Sequence, residues 1–196
     1  VQIGASSLPL EHQGLNVLWI GQAPCVAVLP ATDALARRRT VPLAALAHRR
    51  LVTMSNPYRL RRRLDDVLAR AGLQPQQRHA LIETNSSVNA LALVRAGLGV
   101  AVLEPLTAHG ALPEGLVVRP LDTDIPFFFG VITPQARAAT APVLALADAL
   151  LQAARQLRGF VQHPPSAHGD LLRYPPVDGG NAPRVAPVSL PRKAMR

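Results

Sequence analysis

Residues 83–103 read ETNSSVNALALVRAGLGVAVL. They hold a strand end at Thr84, a polar step at Asn85-Ser86, a helix from about Ser87 to Ala96, a stop at Gly97 and an apolar strand over 99–103, closed by Pro105. Glycine supplies the left-handed conformation that ends helices, and proline cannot extend a strand ladder. The same order runs upstream. Residues 51–54 (LVTM) read as a strand closed by Ser55-Asn56-Pro57, with a helix from there to Ala71. In that helix Leu60, Leu64, Val67, Leu68 and Ala71 recur at helical spacing. Arg59, Arg61, Arg62 and Arg63 fall mostly on the other side and are expected to form a solvated face. Gly72 caps the helix and Pro75 bars its continuation.

A strand at 79–84, a helical turn at 42–47 and a strand at 26–29 complete an alternation of strands and helices over 26–103. That alternation predicts a parallel sheet with helices on its faces, and unbroken apolar strands suit burial on both sides. Residues 15–20 (LNVLWI) read as a further strand, set off from 26–29 by a Gly-Gln-Ala-Pro turn. Beyond 103 come a loop at 107–115, strands at 116–118 and 127–132 (FFFGVI), and a helix from about Ala141 to Leu157. The expected core stripe of that helix is Val143, Ala147, Leu150, Ala154 and Leu157. Residues 161–196 are Pro-rich and aperiodic, which predicts a disordered tail.

The chain has 196 residues, 48% hydrophobic and 17% charged, which suits a globular α/β protein. No apolar run reaches the roughly 18 residues of a membrane span, and no secretory signal opens the chain. A cytoplasmic place without membrane partners is expected. The chain starts at Val1 inside a strand, without an initiator Met, as a fragment would. The formal net charge is +9, and all but Lys193 of the 21 basic residues are Arg. The charge is scattered and aromatics make up only 4%, so nucleic-acid binding by these residues is not predicted. Cys25, beside Val26, Ala27 and Val28, reads as a small buried hydrophobe.

Catalytic signatures are missing. His12, His48, His79, His109, His163 and His168 show no metal-ligand spacing. There is no Gly-x-Ser-x-Gly elbow, phosphate loop or dinucleotide fingerprint. Asp65 and Asp66 are adjacent on a helix and face different ways, a poor acid/base pair. No enzyme activity, metal or cofactor is expected.

Two strand-to-helix loops stand out: Ser55-Asn56-Pro57 and Thr84-Asn85-Ser86-Ser87. In a parallel sheet both lie on the carboxyl edge, where open α/β sheets bind ligands. A helix start offers free N–H donors and partial positive charge, suited to a carboxylate. Ser, Asn and Thr at these places are equally ordinary helix caps, so both readings stand.

The stretch from Glu83 to Leu103, then Pro105-Leu106-Thr107-Ala108, and Leu29-Pro30 leading to Asp33-Ala34-Leu35-Ala36, resembles the effector-binding domain of LysR-type transcriptional regulators. The order of elements matches over about residues 1–157. The resemblance implies a two-lobed fold like the type 2 periplasmic binding proteins, α/β with mostly parallel sheets, and a first lobe that is incomplete here. Lobe one would take residues 1–20 and 125–160, and lobe two residues 24–118. A small effector would sit between the lobes. The implied binding residues are Ser55, Asn56, Thr84, Asn85 and Ser86 from lobe two, with Ser6 and Ser7 from lobe one.

Ser55-Asn56-Pro57-Tyr58-Arg59-Leu60-Arg61, the stretch from Glu83 to Ser87 and Pro105-Leu106-Thr107-Ala108 most resemble the subgroup that senses basic amino acids and opine-like derivatives. That subgroup tends to have Gln at Asn85 and Asn at Glu104. Glu104 would favour a cationic group if it faces the cleft, and it could equally face solvent. An amino acid, opine-like molecule or carboxylate is the implied effector. A homo-oligomer is implied for the intact protein. Family members open with a winged helix-turn-helix that nothing here resembles, so DNA contact is expected only through an absent N-terminal domain. With part of lobe one missing, the chain alone is expected to be poorly stable and to bind weakly. A solute-binding component of a transport system, with the same fold, is the alternative function.

Overall fold

Val26 and Val28 pack into one apolar cluster, and Ala27 and Leu29 into another. The same split recurs at Val100 and Val102 against Ala101 and Leu103. Side chains alternate across a strand, so apolar residues in every place mean a sheet covered on both faces. In the computed structural model, which describes residues 1–10, 14–55, 60–72, 81–110 and 112–172, helices supply both covers. Leu60, Leu64 and Leu68 of helix α2 (Leu60–Arg70) cover one face, and Ala90, Leu91 and Val94 of α3 (Ser87–Arg95) cover the other. Each fully buried leucine of this kind contributes about 1.5–3 kcal/mol of transfer free energy.

The remaining elements are β1 (Gly4–Ser7), β2 (Leu15–Pro24), β3 (Val26–Pro30), α1 (Leu43–Ala47), β4 (Leu51–Met54), β5 (Ile82–Thr84), β6 (Val100–Leu103), α4 (Pro105–Gly110), β7 (Leu116–Pro120), β8 (Pro126–Pro134), α5 (Ala141–Ala154), β9 (Val161–His163) and α6 (His168–Leu172). Among the described residues they build two sheets, ordered β1-β8-β2-β9 and β5-β4-β6-β3-β7.

The strand directions correct the expectation of mostly parallel sheets. Among the described residues, parallel strand pairing is confined to β4 with β5 and β4 with β6, beside one isolated parallel bridge between Val41 and Leu121. β3 runs antiparallel to both β6 and β7, and the first sheet is antiparallel throughout. The reason is the crossing of the chain between lobes. β3 enters the second sheet at the edge where β6 ends, with Val26 opposite Leu103, and β7 leaves at that edge, with Pro120 opposite Val26. The alternation over 51–103 does give right-running parallel strands, and their carboxyl ends share the edge that faces the first sheet.

Other expectations shift as well. β2 continues through Gly21-Gln22-Ala23-Pro24 instead of turning, because β8 pairs along it to Pro24 and β9 pairs over Ile20–Gln22. The supposed loop after Thr107 opens as helix α4. In α5 the inward residue is Leu151, at 9% exposure, while Leu150, at 36%, turns toward the cleft. Residues 161–172 form β9, a 3-10 turn and α6, so disorder does not begin at 161; residues 173–196 lie outside the described residues. Gly97 ends α3 with φ +75°, the left-handed region where a side chain is strained.

Candidate functional site

Each polar loop places its residues by the same device. A short parallel strand delivers the chain to the cleft edge, and a helix carries it back. Ser55 follows β4, and its N–H donates to the Thr84 carbonyl at 2.8 Å, tying the two loops together. At Ser86 the backbone is extended, as a helix cap requires, but its hydroxyl makes no capping bond. The cap reading is therefore not realised by that side chain. Asn85 Oδ1 sits 3.5 Å from the Asn89 amide nitrogen.

Between the sheets lies a cavity of about 670 Å³. Ser6 and Ser7 reach it from β1, Ser55 and Asn85 from the two loops, and Glu104 from the end of β6. Of the other expected residues, Thr84 and Ser86 do not line it, and Asn56 lies outside the described residues. Thr84 shares its strand face with Ile82, which packs toward α3. Ser87 and Thr107 line the cavity beside Asn85 and Glu104. Much of the wall is apolar: Trp19, Met54, Leu60, Phe127 and Phe129. Leu60 falls on a helical apolar stripe and the others in apolar strands, and no spacing rule separates a cavity wall from a core.

Glu104 resolves the question of its direction. It is 8% exposed, lines the cavity, and caps α4: Thr107 N donates to its Oε2 at 2.8 Å, and the Thr107 hydroxyl bonds Oε1. A carboxylate has about four acceptor sites, so both oxygens retain capacity for a ligand. Trp19 is held rigidly. Its indole N–H donates to Ala147 O at 3.0 Å, and its ring meets Phe129 edge-on at 6.0 Å.

The arginine run is not a uniform solvated face. Arg61 bonds Asp65 at 2.7 Å, Glu83 at 2.8 Å and the Met54 carbonyl at 3.1 Å, fastening α2 beside the cleft loops. Arg62 is exposed, and Arg63 is half-buried. Cys25 is buried where the chain crosses between sheets, and burial pushes its thiol far above the usual range. Iodoacetamide at pH 8 is expected to leave Cys25 unmodified in the native chain and to alkylate it in denaturant, read by intact mass. Fast native alkylation would contradict that burial.

Residues 1–155 match the LysR substrate binding domain. The chain belongs to this family. It is 31% identical to the transcriptional activator protein LysR of Escherichia coli K12 over 125 residues, 64% of this chain and 39% of that protein. It is 27% identical over 132 residues to the regulatory protein NocR of Agrobacterium tumefaciens T37, 67% of this chain and 43% of that protein. The chain thus spans about two-fifths of the length of these relatives. Both are regulators, and neither is a transport component. The effector-binding domain of QuiR in complex with shikimate superposes with a TM-score of 0.59 at 15% identity, over 80% of this chain and 73% of that one. At that identity the likeness establishes the LysR substrate-binding fold of two lobes. Among the described residues no helix is long and apolar enough to cross a membrane.

Proposed function

We propose that this chain is the sensing part of a LysR-type transcriptional regulator, and that it binds a small metabolite carrying both a carboxylate and a cationic group. The observation that carries the reading is Glu104, a buried carboxylate on the wall of the interlobe cavity. Ser87, the first residue of α3, lines the same cavity, and the free N–H groups of that helix start favour an anion. A basic amino acid or an opine-like derivative carries both charges. Ser6, Ser7, Ser55 and Asn85, which line the cavity, would orient it by hydrogen bonds. The apolar wall of Trp19, Leu60 and Phe127 would hold its methylene chain. Lobe one would comprise residues 1–20 and 125–160, and lobe two residues 24–118. DNA binding would belong to parts of the protein beyond this chain, and the whole would act as a cytoplasmic homo-oligomer.

Trp19 is the only tryptophan and it lines the cavity, so it reports occupancy. Titration with L-arginine or L-lysine is expected to shift its emission and saturate, while benzoate, which has no cationic group, leaves it unchanged. At about a hundred times Kd the bound state gains about 2.7 kcal/mol, which raises Tm by about 5–10 °C. A response to benzoate with none to either basic amino acid would overturn the cationic part of the reading.

A further inference from the structure

Two segments carry the chain between the lobes, one from β2 into β3 and one from β7 into β8. They lie side by side. Pro24 is registered with Pro126, and Cys25 N donates to Ile125 O at 2.9 Å. Helix α2 packs on the second sheet through Leu60, Leu64 and Leu68. Its Arg63 nevertheless reaches out of that lobe. The guanidinium donates from Nη1 to Pro126 O at 2.7 Å, and its central carbon sits 4.8 Å from the centroid of the Phe128 ring.

Backbone geometry explains why that carbonyl is available. Carbonyls two residues apart on a strand point the same way. Phe128 O accepts from Leu8 N at 2.8 Å, whereas Pro126 O, next along that edge, lies past the end of β1 at Ser7. Arg63 supplies the donor there. Phe128 is anchored on the first sheet by Leu8 and Ile20. A planar guanidinium can donate from its edge while its face covers a ring, which an ammonium cannot do in one position. One half-buried side chain from the second lobe thus grips both the crossing backbone and a core ring of the first.

We propose that Arg63 is the latch that sets the angle between the lobes. Leu60, one turn earlier on α2, lines the cavity, so a ligand pressing on that helix moves the latch with it. The latch does not depend on which effector binds, and its test needs no ligand.

The test is hydrogen–deuterium exchange on the 196-residue chain. Arg63→Met keeps the apolar stem and removes the donor and the charge. It is expected to raise exchange about tenfold in peptides covering 20–27 and 122–129, and to leave 100–103 unchanged. Arg63→Lys keeps the charge but cannot both donate and cover the ring, so a severalfold rise at the same peptides is expected. Arg62→Met, at the exposed neighbour, is expected to match the wild type. Three results would overturn the latch: wild-type exchange at the crossing peptides in Arg63→Lys, an equal rise at 100–103, or an Arg62→Met effect as large. Arg63→Lys carries the test even if Arg63→Met fails to fold.

Discussion

Gly130→Ala is expected to lower Tm by about 6–12 °C. β8 runs between β1 and β2, and Gly130 pairs with Ser6 on one side and Ile20 on the other. A β-carbon at Gly130 would lie 2.3 Å from the Trp19 carbonyl oxygen and 2.9 Å from a Leu8 methyl. The methyl could swing away. The carbonyl cannot, because Trp19 is part of the paired strand, just after the irregularity between Val17 and Trp19. Forcing strands apart in a packed core costs about 3 kcal/mol, and in a chain of this size each kcal/mol moves Tm by about 2–4 °C. A thermal melt followed by circular dichroism measures it, and a Tm within 2 °C of the wild type would show that the two strands part freely. Gly130 also lines the cavity, so residual folded protein should bind more weakly.

Glu104→Gln is expected to weaken binding of L-arginine about tenfold or more while changing Tm by no more than a few degrees. The glutamine oxygen can still accept from Thr107 N, so the cap on α4 survives. What disappears is the negative charge facing the cavity. A hydrogen bond to a charged group contributes roughly 1.5–3 kcal/mol, and 1.4 kcal/mol corresponds to tenfold in affinity. Trp19 emission gives the affinity and a melt gives the stability, so the two effects separate. Equal affinity in the variant would place the cationic group elsewhere. A collapse of Tm would mean that the charge serves α4 rather than a ligand.

Glu104 also shows where sequence reading stopped. Its neighbours Val100 to Leu103 announce a buried strand, but whether the next side chain turns to a cleft or to water depends on the opposite lobe. Helix α5 shows the same limit at one residue. Leu150 and Leu151 are adjacent and equally apolar, and helical spacing puts Leu150 on the core stripe where the fold buries Leu151, because a helical stripe drifts over four turns. Ser6 and Ser7 came only with the family resemblance, whereas Ser55 and Asn85 were legible as cleft candidates because strand ends and helix starts leave local marks. Thr84 was not separable from them, since its face is set by the register of β5 on β4.

The local elements and their order follow from the chain itself: glycine stops, proline breaks, helical spacing and apolar runs act over a few residues. So did the family membership, which rests on that order across 1–155. The tertiary structure alone decided the direction of β3, the unbroken course of β2 through Gly21, and the reach of Arg63 to Pro126. Each depends on contacts between segments far apart in the chain. An arginine on a helix looks solvated until a carbonyl without a strand partner is brought within 2.7 Å of it.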